Sequence, residues 1–163
     1  MTTYPPIVAG MTPTSLLLQS MLPLVGYKAS DQPLSTGVGT LQNDTALVVP
    51  LAANAVYRFE LRFFFTGGTL GSTDLLAGWT APSGATMVYE WLIPNTSNAT
   101  QMGAGTSVSG TVFLGTSGAT VQTATFAGTV TTSITAGNLQ FQWCQQTGSA
   151  VTTTVKAGSL LTA

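Results

Sequence analysis

The sequence contains no histidine and only one cysteine, Cys144, among its 163 residues. Zinc and haem sites of the usual kind need several histidine or cysteine ligands, so no metal site or cofactor is predicted within one chain. A single cysteine cannot form an intramolecular disulfide, and it therefore gives no evidence for an oxidising compartment.

Charged side chains are also rare, at 6% of the chain against about 25% in an average soluble protein. Four lysines and arginines face five aspartates and glutamates, which gives a formal net charge of −1. Binding to nucleic acid normally needs several lysine or arginine contacts to phosphates, so no nucleic-acid partner is predicted. The surface must instead be covered by threonine, serine and other uncharged residues, and by other protein.

Long apolar runs are missing as well. The mean hydropathy is +0.36, but no run approaches the ~20 apolar residues that a membrane-spanning helix needs. The first residues lack the basic segment of a secretory signal. We therefore predict neither a membrane partner nor a signal peptide, and the aromatic content of 9% argues against a disordered chain.

The acids and bases are too few to favour catalysis. Without histidine, a serine or threonine nucleophile lacks its usual base. Cys144 has no cation near it in the sequence to lower its pKa, so a buried and inert thiol is expected. The protein is therefore predicted not to be an enzyme and to have no catalytic residues. The only carboxylates are Asp31, Asp44, Glu60, Asp74 and Glu90.

One short segment concentrates charges of both signs. Glu60 lies between Arg58 and Arg62 at a spacing of two, and residues two apart share one face of a β-strand. This spacing favours a cluster of ion pairs, within the chain or at an interface, over a catalytic pair of carboxylates. The residues predicted to form it are Arg58, Glu60, Arg62 and Glu90.

Residues 1–23 differ from the rest of the chain, because they hold four of the eight prolines and no charged side chain. Pro5 and Pro6 favour an extended backbone, whereas Thr12 and Pro13 predict the start of a short helix that Pro23 ends. A single short helix is not stable alone. This arm therefore docks either on its own domain or on a partner, through Tyr4, Pro5, Pro6, Ile7, Val8, Leu17, Leu18, Met21 and Leu22.

From residue 24 onward the apolar pattern has a period of two, which is typical of β-strands. The clearest strand covers residues 55–65, where large apolar side chains alternate with positions that carry the charges. Pro50 marks an edge strand or a bulge. We predict an all-β fold, an antiparallel and jelly-roll-like β-sandwich over residues 24–163. Its other candidate strands are residues 24–29, 46–52, 75–81, 86–93, 108–114, 121–126, 129–134, 139–145 and 151–156.

The large aromatic residues allow two interpretations. They can fill the core of the sandwich, since Trp79, Tyr89 and Trp91 fall on the large-apolar positions of their strands. Alternatively, Trp79, Trp91 and Trp143 can form an exposed platform on which sugar rings stack. The strand pattern favours the core.

Several segments resemble small virion proteins of actinobacterial tailed phages and prophages. The resemblance covers roughly residues 10–92, while the threonine-rich and glycine-rich C-terminal half adds nothing to it. It is carried by TSLLLQSMLP at residues 14–23, YKASDQ at 27–32, LQND at 41–44, LVVPLAANAVY at 47–57, FTGG at 65–68 and WTAPSGAT at 79–86.

The resemblance implies a structural role in the virion, because proteins of this type are capsid decoration proteins, head fibres or minor tail proteins. The expected location is the virion, assembled in the host cytoplasm. A decoration protein would bind the major capsid protein or another virion protein, and it would also bind itself as a homo-oligomer, by analogy a trimer. The alternative is a minor tail or tail-fibre protein that recognises a glycan on the host surface.

Overall fold

The computed structural model of the protein describes residues 12, 14, 15, 22–34, 39–67, 75–95, 99–116, 118, 120–146 and 152–163. Leu22 is described, and its side chain is exposed. The short helix predicted between Pro13 and Pro23 lies outside these residues. So does the rest of the predicted docking set on the arm, namely Tyr4, Pro5, Pro6, Ile7, Val8, Leu17, Leu18 and Met21.

Twelve strands lie within the described ranges, and every pairing between them is antiparallel. The all-β class predicted from the sequence is therefore confirmed. The strands are β1 (Val25–Tyr27), β2 (Gln32–Leu34), β3 (Gln42–Leu51), β4 (Val56–Thr66), β5 (Leu75–Thr80), β6 (Thr86–Pro94), β7 (Thr100–Gly105), β8 (Val112–Leu114), β9 (Gln122–Thr131), β10 (Gly137–Gln145), β11 (Thr153–Val155) and β12 (Leu160–Thr162).

The strands form two sheets of unequal size. The large sheet has eight strands, with the order β1-β12-β4-β9-β6-β7; β11 pairs with the far end of β4, and β2 pairs with β11. The small sheet has the order β3-β10-β5-β8. Pro50 lies in β3, at the edge of the small sheet, as its missing N–H predicts.

The inner faces of the two sheets meet in one hydrophobic core. On β4 the alternation predicted from the sequence is confirmed, because the side chains of Phe59, Leu61, Phe63 and Phe65 are buried while the charged positions between them are exposed. Aromatic rings join the sheets directly. Phe59 of β4 lies 5.1 Å from Trp79 of β5, and Phe63 lies 4.9 Å from Phe141 of β10, measured between ring centroids.

The strand boundaries differ from prediction along β9. The sequence predicts two strands, at residues 121–126 and 129–134, whereas β9 runs without a break through Gly128. Gly128 pairs with Phe59 on one side and Tyr89 on the other. A Cβ atom at this position would lie 2.2 Å from the carbonyl oxygen of Val88. The glycine therefore allows close packing inside the strand and does not form a turn.

A buried ion pair joins the two sheets. Lys28, just after β1, donates from Nζ to both carboxylate oxygens of Asp44 in β3, at 2.9 and 2.8 Å. The same ammonium donates to Oε1 of Gln32 in β2 at 2.7 Å, so all three of its N–H groups are used. Trp143 of β10 donates from Nε1 to Asp44 at 3.2 Å. The Lys28 and Asp44 side chains are almost completely buried.

Asp44 points into the molecule because β3 is irregular at this position. The pairing of β3 with β10 shifts register between Gln140 and Gln142. Within the irregular segment, Oδ1 of Asp44 accepts hydrogen bonds from the backbone N–H groups of Ala46 and Leu47, both at 3.0 Å. The carboxylate therefore stabilises the local backbone as well as the ammonium of Lys28.

Removing one member of the buried pair is expected to be costly. Lys28→Met leaves the Asp44 carboxylate buried without its counter-ion, so the free energy of unfolding should fall by about 3–5 kcal/mol. The double variant Lys28→Met/Asp44→Asn should lose less, because a neutral amide still accepts from the backbone. Urea unfolding followed by tryptophan fluorescence measures both. Lys156→Met, which removes the exposed partner of Asp31, is the control and should change stability far less. A double variant with a lower free energy of unfolding than Lys28→Met alone would contradict the explanation.

Gly26 supplies a second test of the packing between the sheets. A Cβ atom on Gly26 would lie 2.9 Å from three backbone atoms of β3, in Ala46 and Val48. Gly26→Ala should therefore destabilise the protein by about 1–3 kcal/mol, since the backbones of β1 and β3 are both held by strand pairing and cannot move apart freely. Gly137→Ala is the matched control, because its nearest neighbours are side-chain atoms of Pro82 at 3.4 Å. Equal urea midpoints for the two variants would refute this account.

Candidate interaction surface

The side of the large sheet that faces away from the core forms one broad surface, called here the outer face. Antiparallel pairing places residues in rows across the strands, and paired residues point to the same side of the sheet. One row runs from Val25 through Thr162, Glu60, Ala127 and Glu90 to Ala104. The next runs from Tyr27 through Leu160, Arg62, Thr125 and Leu92 to Met102.

This outer face carries most of the exposed apolar side chains. Eleven large apolar side chains are exposed in the described part of the chain, and seven of them lie here. Met102 is 77% exposed and Tyr27 is 59% exposed. Contiguous exposed apolar surface on a soluble protein commonly marks a site of contact with another protein. The seven residues are Val25, Tyr27, Val56, Val88, Leu92, Met102 and Leu160.

The outer face also carries every unpaired charge among the described residues. Lys28 is paired with Asp44 inside the protein, and Lys156 is paired with Asp31 at the surface. The described charges that remain are two arginines and two glutamates, all exposed and all on the outer face, so their sum is zero. They are Arg58, Glu60, Arg62 and Glu90.

The ion-paired cluster predicted for these four residues does not form within the chain. Over the described ranges, the ion pairs within 4.0 Å are those of Lys28 and Lys156 alone. Side chains two residues apart on a strand are separated by about 6.6 Å, and β9 holds Glu90 more than about 10 Å from the arginines of β4. The prediction placed the residues on one face correctly but was wrong about their pairing inside one copy.

Small residues leave two shallow grooves on the outer face. Ala127 of β9 lines one groove, together with Arg58 on one side and Val88 and Glu90 on the other. Ala104 of β7 contributes to the second, beside Leu92 and Met102. These grooves are open to solvent along the strands, so they suit the side chains of another protein surface better than an enclosed small ligand.

The aromatic residues considered for glycan contact lie on the inner side of the sheets. Trp79 is 3% exposed and Trp143 is 1% exposed, so neither can stack on a sugar in this conformation. Trp91 is half-buried, and its ring lies against Gly103 of β7, where a Cβ atom would meet it at 2.4 Å. An exposed platform of these three side chains is therefore absent, and Trp79 and Trp143 belong to the core.

The sequence did not reveal the apolar part of the outer face. Its charges were predicted to share a face, but Val25, Tyr27 and Leu160 join them only through the pairing of β1 and β12 with β4. Lys28 and Asp44 were also missed as a pair. The sequence did contain one signal for this pair. In a chain with so few charges, Lys28 and Asp44 each lie next to apolar or neutral residues.

Comparison with known proteins adds little. No protein-family model matches the sequence, and no curated protein matches it. Among solved structures, one similarity is to "Structure of infectious bursal disease virus Gx strain", a virus structure, with 11% sequence identity and a TM-score of 0.21. The match covers 86% of this chain and 37% of that chain, and a TM-score this low does not establish a shared fold.

Two further features of the described residues bear on function. None of their helices is long and apolar enough to cross a membrane. No group of three or more histidine, cysteine, aspartate and glutamate side chains among them gathers where a metal ion could bind.

Cys144 lies in β10 and is completely buried. Burial raises the pKa of its thiol, and a backbone hydrogen bond involving Gly39 lowers that pKa by a smaller amount. The thiol is therefore protonated near neutral pH and shielded from reagents, which makes it a poor nucleophile.

The reactivity of Cys144 can be measured directly. In the folded protein at neutral pH, Ellman's reagent should leave the thiol unmodified, and in urea the same thiol should react completely. The variant Cys144→Ser/Ile134→Cys carries its thiol at an exposed position and should react at once in both conditions. Rapid labelling of native Cys144 would show that β10 opens readily or that the thiol is accessible.

Proposed function

We propose that this chain is a non-enzymatic structural protein of a tailed-phage virion, a capsid decoration protein that binds the capsid surface. A minor tail or tail-fibre protein is the alternative. The observation that carries the proposal is the order of the strands in the two sheets, and the resemblance of residues 10–92 to phage virion proteins agrees with it.

The strand order fits a jelly roll. Among the eight consecutive strands from β3 to β10, the small sheet contains the first, eighth, third and sixth, namely β3, β10, β5 and β8 in that order. The large sheet contains the second, seventh, fourth and fifth of these strands, namely β4, β9, β6 and β7, as neighbours in that order. Two four-stranded sheets connected in this way are the jelly-roll arrangement, which recurs in viral capsid and lectin domains. This support is an analogy with other proteins of the same fold, and a fold alone does not determine a function. The properties of the protein surface are therefore a second line of support.

The surface suits a virion protein that is present in many copies. Its described charges are few and balanced, which keeps repulsion between neighbouring copies small. The predicted arm over residues 1–23 has no charge and would attach the domain to the capsid or to another virion protein. The outer face remains available for a further contact.

Recognition of a host glycan is the weaker alternative. Jelly rolls also occur in lectin domains, but burial of Trp79 and Trp143 removes two of the three side chains considered for sugar stacking. Only Trp91 is partly accessible.

Copy number in purified virions distinguishes these functions. Quantitative mass spectrometry of particles from the phage or prophage that encodes the chain should find on the order of hundreds of copies, comparable with the major capsid protein. A handful of copies would contradict decoration and favour the tail. Absence from the particle would overturn the proposal of a virion protein.

The role of the arm can be tested in the same particles. A chain that lacks residues 1–23 should still unfold cooperatively but should no longer be incorporated. A chain with Ile134→Lys, at an exposed position outside the arm, is the control and should be incorporated at the normal level. Full incorporation of the truncated chain would show that the arm is not the attachment.

A further inference from the structure

We infer that the outer face of the large sheet is the surface through which two copies of this chain associate, around a two-fold axis that runs across the strands. This inference rests on the geometry of the outer face and not on the proposed virion function. It assigns the alternating charges on the exposed side of β4 to contacts between copies.

The outer face is large enough for a stable contact. The six strands from β1 to β7 in the order of the sheet span about 24 Å, at ~4.8 Å between neighbours, and Val56 to Phe64 of β4 spans about 26 Å. The face therefore covers roughly 600 Å² on each copy, or roughly 1,200 Å² for two, which exceeds the ~1,000 Å² expected of a specific interface. Two sheets that stack face to face in this way form a layer with interdigitating side chains.

The order of the charges along β4 makes the outer face complementary to itself. Arg58, Glu60 and Arg62 present the signs plus, minus and plus at successive positions of one face. A two-fold axis midway between Arg58 and Glu60 places Arg58 of each copy opposite Glu60 of the other copy, and it places Arg62 opposite Val56. An axis midway between Glu60 and Arg62 pairs Arg62 with Glu60 in the same way, and it places Arg58 opposite Phe64. In either register Glu60 of each copy faces an arginine of the other copy, so two ion pairs that are missing within one chain form between two chains.

The balance of charge favours a second copy over an acidic or basic partner. The outer face carries two positive and two negative side chains, so it offers no net attraction to a strongly charged surface. Its apolar side chains stand on both sides of β4, with Tyr27 and Leu160 toward one edge and Leu92 and Met102 toward the other. An identical face supplies apolar area of the same extent, together with the alternating charges that match it.

The mass of the full-length protein in solution tests this inference. Analytical ultracentrifugation should show concentration-dependent association with a Kd of about 10 µM or tighter. Leu92→Lys places a charge in the apolar part of the outer face and should weaken association by at least about tenfold. Ile134→Lys makes the same kind of change at an exposed residue outside the outer face and should leave the Kd unchanged.

A charge reversal distinguishes complementarity from a general loss of folding. Glu60→Arg makes three consecutive positive charges on β4 and should abolish association. The triple variant Arg58→Glu/Glu60→Arg/Arg62→Glu restores alternating signs in reversed order and should recover association. Circular dichroism should be the same for the wild-type chain, Glu60→Arg and the triple variant, because these side chains are exposed and form no ion pair with another described residue.

Three results would overturn the inference. A wild-type chain that stays monomeric at about 100 µM lacks the association altogether. Association that survives both Leu92→Lys and Glu60→Arg uses another surface, such as the arm. Failure of the triple variant to recover association would show that the charges do not face one another. None of these results depends on the copy number in virions, so the two proposals can fail separately.

Discussion

The buried contact between Lys28 and Asp44 connects parts of the molecule that the strand pairings leave separate. Lys28 and Gln32 belong to the segments of β1 and β2 in the large sheet, whereas Asp44 and Trp143 belong to β3 and β10 in the small sheet. Both ions have lost their water, so each must be satisfied by protein groups. The hydrogen bonds around Lys28 and Asp44 therefore fix the position of β1 and β2 relative to the small sheet. In this position β1 completes one edge of the outer face.

Local patterns predicted the fold well wherever a strand buries one face. In β4 and β6 large side chains alternate with polar ones, so Phe59, Met87 and Tyr89 could be assigned to the core from sequence alone. β7 gave no such signal, because Gly103 and Gly105 have no side chain and lie beneath Trp91 and Tyr89. Their role depends on residues of a neighbouring strand.

The candidate site was predictable only in part, for a similar reason. A spacing of two was enough to place Arg58, Glu60 and Arg62 on one side of β4. It could not show that β9 separates them from Glu90, nor that β1 and β12 extend the face with apolar side chains, since those facts follow from pairings between residues far apart in sequence. Asp44 was hidden for another reason: the irregular register of β3 turns it inward, against the simple alternation.

The scarcity of charge gives the few exposed charges unusual weight in choosing a partner. At physiological ionic strength, exposed charges farther apart than about 8 Å are largely screened from one another, and a net charge of −1 provides almost no long-range attraction. Encounters between copies are therefore not steered from a distance. In the proposed association, the apolar side chains supply the attraction, which has no preferred direction. The charges along β4 would distinguish one register of this proposed contact from another, because a register that sets Arg58 against Arg62 brings like charges together. In the proposed pair of copies, the alternating charges of Arg58, Glu60 and Arg62 therefore restrict the register once the two faces are in contact.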